Sequence, residues 1–277
     1  MDLASITISM LSMGGMGALF AAGLAVANKK FYVEEDPRIA LVIDNLPGAN
    51  CGGCGLPGCG SFAESIVHGT VAISGCPVCN DDAREAIAGI MGLEAAKGEK
   101  IIARVMCQGG DYESAHKGEY LGIQNCTAAH ITGGGDKLCL HGCLGYGECV
   151  DACPFDAMEM SENGLPLIDE DKCTGCGNCV DACPRNVIEL HPETDTIFVA
   201  CRNTDTPKDS RKVCIKACVG CGLCVRGVEE GLMTMENNLA RIDYHLYGQG
   251  KELSTTKCST NALILLESVS EEKALSA

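Results

Sequence analysis

The chain has no tryptophan, and only five phenylalanines and six tyrosines in 277 residues. A large aromatic core is therefore excluded, and any small domains need staples of another kind. Positive charge is also scarce: 21 Lys and Arg stand against 37 Asp and Glu, for a formal net charge of −16. That imbalance argues against nucleic acid as a partner, because its phosphates would be repelled. Several signatures of catalysis are missing. Gly133-Gly134-Gly135 lacks the G-x-G-x-x-G spacing and a following helix, there is no P-loop, and no nucleophile–base pair stands out. The six histidines are scattered, with no zinc or haem spacing.

From Leu3 to Ala27 there is no charged residue. The run exceeds the roughly 20 apolar residues that span a bilayer. A cleavable signal would need a basic stretch before it, and none precedes it. Lys29 and Lys30 follow at once, so the positive-inside rule predicts a single-pass anchor with everything after it on the cytoplasmic side of the cell membrane. Gly14, Ala18 and Ala22 form a row of small residues that would let this helix approach other membrane helices closely.

What the chain has in excess is cysteine: 21 residues. A secreted disulfide scaffold is the ordinary explanation, but such scaffolds are short and carry a cleavable signal. Here the spacing is that of metal ligands. Cys173-x2-Cys176-x2-Cys179-x3-Cys183-Pro184 is the run that binds [4Fe–4S] clusters in bacterial ferredoxins. Three thiolates on one glycine-containing loop cap three irons, and the fourth cysteine serves the neighbouring cluster. Zinc usually takes two separated cysteine pairs instead. A second such run ends at Cys153-Pro154, so Cys153 and Cys183 are the two crossing ligands. In this run the usual second cysteine is Tyr146, and Cys139, four residues before Cys143, is the expected replacement beside Cys143 and Cys149.

The chain then repeats itself. Each unit reads as a cysteine loop, a one-turn helix starting at GECVDACP, GNCVDACP or GLCVRGVE, and a hairpin. The hairpins are MEMSENGLPLID with an Asn163-Gly164 turn, VIELHPETDTIFVAC, and LMTMENNLARID with an Asn237-Asn238 turn. The third unit keeps Cys218, Cys221 and Cys224, but its crossing position is Val228. The fourth keeps only Cys258, which would complete the third unit's cluster. One cluster is thus deleted whole and its neighbour left complete. Upstream, Cys51-x2-Cys54-x4-Cys59 with Cys76 reads as a further small site, flanked by helices after Asp36-Pro37 and Asn80. A zinc ribbon is the alternative there. Ile101 to Met106 reads as a strand.

The expectation is an α+β chain: an N-terminal transmembrane helix (1–30), a small four-cysteine iron–sulfur domain (31–96), a connector (97–138), a two-cluster bacterial ferredoxin-like domain of βαβ type (139–200), a degenerate one-cluster ferredoxin-like domain (201–267) and a polar tail (268–277). Four [4Fe–4S] clusters follow. Cys79, Cys107, Cys126, Cys201 and Cys214 are left over. Four of them, Cys107, Cys126, Cys201 and Cys214, could bind one cluster more, and the runs ARVMC and IFVAC that end at Cys107 and Cys201 could pair. The densest basic stretch, Arg202, Lys208, Arg211, Lys212 and Lys216, lies just before Cys218 and is the expected landing site for an acidic redox partner.

A charge-free N-terminal helix, then NCGGCGLPGC, then CLGYGECVDACPFDA within a double ferredoxin motif resembles the B subunit of the Rnf electron-transport complex over nearly the whole chain. The resemblance implies a membrane-bound ferredoxin:NAD oxidoreductase that moves sodium ions or protons. This chain would be its electron carrier, with no catalytic site of its own. It would take electrons from soluble ferredoxin and work beside other membrane and flavin-bearing subunits. The loss of one cluster in the terminal unit departs from longer members. The alternatives are a polyferredoxin subunit of a membrane hydrogenase or similar reductase and, less well matched, a cluster-based redox sensor.

Overall fold

The structure is a computed structural model, and it describes residues 3–31, 36–94, 98–247 and 258–266. The expected polar tail, 268–277, lies outside the described residues.

Helix α1 (Leu3–Lys30) begins the chain. At 1.5 Å per residue it is about 42 Å long, more than a hydrocarbon core requires. Its side chains from Thr7 onward are almost all exposed, and its stretch from Thr7 to Lys30 is long and apolar enough to cross a membrane.

Three helices make the small domain. In α2 (Pro37–Asn45), Asp36 caps the first turn by accepting the Arg38 N–H at 2.9 Å, and Pro37 stands where no N–H is missed. Helix α3 (Cys59–Val67) and α4 (Asp81–Met91) complete it, the latter capped by Asn80 on the Ala83 N–H at 2.9 Å. Val42, Phe62, Ala63 and Ile87 are fully buried where α2 meets α3 and α4. This apolar core sits directly behind the cysteine loop.

Two nested strand arrangements follow. Strand β1 (Ile101–Val105) pairs antiparallel with β4 (Ile188–Pro192), Ala103 opposite Leu190. Inside that pair lies the hairpin β2 (Met158–Met160) with β3 (Pro166–Ile168), closed at Asn163-Gly164 as expected. The second unit repeats the plan. Strand β5 (Ile197–Val199) pairs with β8 (Leu263–Leu265), enclosing the hairpin β6 (Met233–Glu236) with β7 (Leu239–Ile242). Asn237 and Asn238, both at positive φ, form that hairpin's turn.

Three sequence expectations are corrected by this pairing. VIELHPETDTIFVAC is not a hairpin: its first half is β4 and its second is β5, and each closes a different unit. The runs ending at Cys107 and Cys201 do not pair with each other. Residues 97–138 are not a mere connector, because β1 is the outer strand of the first unit, which runs from β1 to β4. The longer-range pairs bury their apolar side chains: Ile102 and Ile188 in the first unit and Ile197 and Leu263 in the second are buried. The one-turn helices appear as α6 (Glu148–Asp151) and α7 (Asn178–Asp181), whereas GLCVRGVE forms turns only. The segment between β1 and the first cysteine loop contributes a further helix, α5 (Cys126–Ile131).

A small aromatic cluster lies where the two units meet. His191 on β4 packs edge-on against Phe198 of β5 and Tyr244 at ring separations of 5.2 and 4.6 Å, and the Arg104 guanidinium lies 5.2 Å over the Phe198 ring. Glu189 takes Arg202 as an ion-pair partner across the joint, and hydrogen bonds from His191 first and then Arg202 hold its carboxyl down at about 2.

The small domain is seated on the first unit at Gly53. A Cβ there would lie 2.6 Å from the Cys176 carbonyl oxygen, although Gly53 is not at positive φ. Gly53→Ala should therefore disturb contact without straining backbone. A cost of roughly 1–3 kcal/mol is expected, read as faster amide exchange across residues 46–78 with iron content unchanged. Exchange identical to the wild type would show that the close approach contributes nothing.

Candidate iron–sulfur centres

The cysteines fall into sets around the loops. In the small domain Cys54, Cys59, Cys76 and Cys79 line one side of the helical core, and Cys51 faces the Cys176 loop. Cys59 opens α3, so its sulfur lies at a helix N-terminus, where thiolate is favoured. Asn50, at positive φ, accepts the Cys59 N–H at 2.9 Å and pins the loop to the helix start. Cys79 is buried and gives its S–H to Cys76; that bond lowers Cys76 to about 6 and raises Cys79. Cys79 is thus a sulfur donor behind the loop set.

In the first ferredoxin-like unit, Cys173, Cys176 and Cys179 come together with Cys153 arriving from the other loop, the crossing expected from the paired runs. The Ala103 N–H of β1 reaches the Cys173 sulfur at 3.4 Å, which ties the loop to the outer strand pair. The other set holds a correction. One cavity is lined by Cys143, Cys149, Cys183 and Cys126. Cys126, not Cys139, occupies the place that Tyr146 leaves empty of sulfur, lining this cavity beside Cys149 and Cys183. Helix α5 delivers it. Asn125 caps α5 on the Ala128 N–H at 2.7 Å, and the Glu148 carboxylate accepts the Thr127 N–H and hydroxyl at 2.7 and 2.9 Å. Cys139 lines a different cavity, with Cys107, Cys201 and Cys214. No spacing rule reveals this exchange, since α5 lies in an insertion; the Asn125 cap ahead of Cys126 was the one local sign of a helix start.

In the terminal unit Cys218, Cys224 and Cys258 share one apolar cluster, with the exposed Cys221 beside Cys224. The Leu263 N–H donates to the Cys258 sulfur at 3.4 Å. Val228, at the vacated crossing position, packs into the same cluster.

These sets suit iron cubes. Among the described residues, no three His, Cys, Asp or Glu side chains converge on one point as a single ion requires. A cube of four irons asks for a wider cage with a thiolate at each corner. Burial pushes the Cys143, Cys149 and Cys179 thiols up to about 12, so these sulfurs keep their protons until a cation replaces them. Lys137 is 2% exposed, held by Asp111 at 3.1 Å and the Gly109 carbonyl at 3.3 Å, and it supplies a buried positive charge beside Cys143.

Comparison with known proteins agrees with this geometry. Residues 46–78 match a putative Fe-S cluster family and residues 166–189 the 4Fe-4S binding domain family. The B subunit of the Na(+)-translocating ferredoxin:NAD(+) oxidoreductase complex of Acetobacterium woodii is 46% identical over 91% of this chain and 75% of its own. The chain belongs to the family of Rnf-type B subunits. Its counterpart in the proton-translocating ferredoxin:NAD(+) oxidoreductase complex of Clostridium ljungdahlii is 40% identical over 90% of this chain and 88% of its own. The counterpart in the ion-translocating oxidoreductase complex of Methanosarcina acetivorans is 37% identical over 87% and 92%. As a member of this family the chain is an iron–sulfur electron carrier in a multisubunit redox complex, and α1 together with that membership places it in association with a membrane. The hydrogenase and sensor alternatives are not favoured.

Cys126→Ser should damage the centre that Cys143, Cys149 and Cys183 share, giving a three-iron signal or loss of about four irons, while Cys139→Ser leaves that centre's EPR signal intact. The reverse pattern would return Cys139 to the place expected from sequence.

Proposed function

We propose that this protein receives electrons from reduced soluble ferredoxin at the cytoplasmic face and passes them to membrane and flavin-bearing partners of an ion-translocating ferredoxin:NAD oxidoreductase. The observation that carries the reading is the contact between the small-domain set and the two sets of the first ferredoxin-like unit, inside a chain of this family. The small-domain loop at Gly53 touches Cys176, and Cys179 lies beside Cys149. Bound clusters supply one-electron chemistry, and the chain supplies placement, burial and N–H donors to sulfur. No catalytic site of its own is required. The ligands are Cys51, Cys54, Cys59 and Cys76; Cys126, Cys143, Cys149 and Cys183; Cys153, Cys173, Cys176 and Cys179; and Cys218, Cys221, Cys224 and Cys258.

The expected basic landing site narrows on the structure. Arg202 turns inward to Glu189, its side chain 14% exposed, and Lys212 is tied to Asp209 at 2.9 Å. Lys208 and Arg211 remain exposed on the helix α8 (Pro207–Val213), which leads directly into Cys214 and the terminal unit's loop. In a chain this acidic, that face is where an acidic ferredoxin meets least repulsion.

The double change Lys208→Glu and Arg211→Glu should slow ferredoxin-driven reduction of the complex roughly tenfold at low salt and flatten its dependence on ionic strength, with iron content unchanged. Stopped-flow reduction across a salt series measures both; wild-type rates at low salt would move the docking face elsewhere. For sidedness, the Lys29-Lys30 pair after the apolar run supports cluster domains on the inner face. Protease added to inverted vesicles should digest residues beyond Lys30, and digestion from the outer face of right-side-out vesicles would overturn the topology.

A further inference from the structure

Four cysteines from four distant segments enclose one cavity: Cys107 just after β1, Cys139 before the first loop, Cys201 just after β5, and Cys214 at the end of α8. They are 9%, 7%, 8% and 8% exposed, as buried as core residues, and all four line the same cavity. Backbone is drawn in around them. A Cβ on Gly142 would lie 3.4 Å from the Cys139 sulfur and 3.5 Å from that of Cys107, and one on Gly109 would lie 3.3 Å from the Cys214 sulfur. Polar hydrogens point at the sulfurs as they do in the loops already described. Gly109 and Cys143 donate backbone N–H to Cys107 at 3.3 and 3.4 Å, and Asn203 and Cys218 donate to Cys201 at 3.4 and 3.3 Å. The Asn203 side-chain amide, 1% exposed, reaches the Cys139 sulfur at 3.6 Å.

We propose that Cys107, Cys139, Cys201 and Cys214 hold a further [4Fe–4S] cluster between the two ferredoxin-like units. A cubane, unlike a single ion, uses four thiolates set apart around a cavity and accepts N–H donors at its sulfurs. The position has a consequence. Cys143 of the first unit donates its N–H to Cys107, and Cys218 of the terminal unit donates its N–H to Cys201. The proposed ligands therefore touch the ligand sets on both sides, and they give the terminal unit a neighbour it otherwise lacks. The purpose of such a bridge rests on the electron-carrier reading above; its ligands do not.

The test is iron, sulfide and EPR analysis of the anaerobically purified complex. The wild type should hold about twenty irons in this chain, and the double variant Cys107→Ser, Cys201→Ser about sixteen, with the remaining signals kept. A wild type with about sixteen irons, or a double variant with unchanged iron and spectrum, would overturn the proposal whatever the ferredoxin assay shows. Should the double variant fail to fold, Asn203→Asp keeps every ligand and the acceptor oxygen while removing the donor to Cys139. It should lower the midpoint potential of one centre alone in an EPR titration, since a hydrogen bond to sulfur favours the reduced state. Titration curves superimposable on the wild type would also overturn it. Loss of ferredoxin-dependent reduction with all about twenty irons present would count against the functional reading and leave this site standing.

Discussion

Sulfur must be gathered by backbone before iron can bind, and in this chain the gathering loops rest on strand pairs that close far along the sequence. β1 meets β4 after more than eighty residues, by the register Val105 opposite Ile188. β5 meets β8 across a shorter but still long gap, Val199 opposite Leu263. Each outer pair encloses a hairpin and holds the loops at its ends. With so little aromatic surface, these small sheets bury only a handful of aliphatic side chains, so bound clusters become part of what keeps each unit closed. The direct links from strand to sulfur, Ala103 to Cys173 and Leu263 to Cys258, show how closely folding and ligation are joined.

That coupling explains which parts of the fold were legible. The Cys173–Cys183 run, the Asn163-Gly164 and Asn237-Asn238 turns and the caps at Asp36 and Asn80 are local, and local chemistry determines them. The expectation of a deleted centre rests on losses that match across two repeats, the crossing cysteine replaced by Val228 and the loop cysteines missing ahead of Cys258. Sequence proximity misled where ligands or strands come from a distance. Cys139 is four residues from Cys143 yet lines another cavity, while Cys126, farther off and carried by α5, takes the position beside Tyr146. β4 and β5 are joined by only a few residues, so they read as a hairpin, but each finds its buried partner elsewhere. A one-residue step decides a strand's face, but nothing in a short apolar run names the strand it will pair with.

Charge completes the picture. The formal −16 excludes the thiolates, and loaded clusters add negative charge to sites that are already buried. The chain places a few of its cations inward. Lys137 is buried beside Cys143. Arg185 is half-buried and donates to the Cys139 and Gly134 carbonyls at 3.2 and 3.3 Å, between the Cys183 set and the Cys139 set; burial lowers its pKa, while the surrounding thiolates oppose that shift. Arg104 and Arg202 serve the joint between units, paired with Glu170 and Glu189.

Spending arginine and lysine inside has a cost outside. Of the five residues in the basic stretch before Cys218, Arg202 turns inward, Lys212 is tied to Asp209 and Lys216 is half-buried against the Cys107 cavity, which leaves Lys208 and Arg211 as the exposed cations of α8 that no acidic neighbour is seen to hold. A small positive face on a strongly acidic protein is a more selective device than a broad one. It lowers the barrier to an acidic partner in one orientation and leaves every other approach repelled. On the proposed docking reading, the same scarcity of positive charge directs an acidic partner to a helix that runs into Cys214, beside the joint between the two ferredoxin-like units.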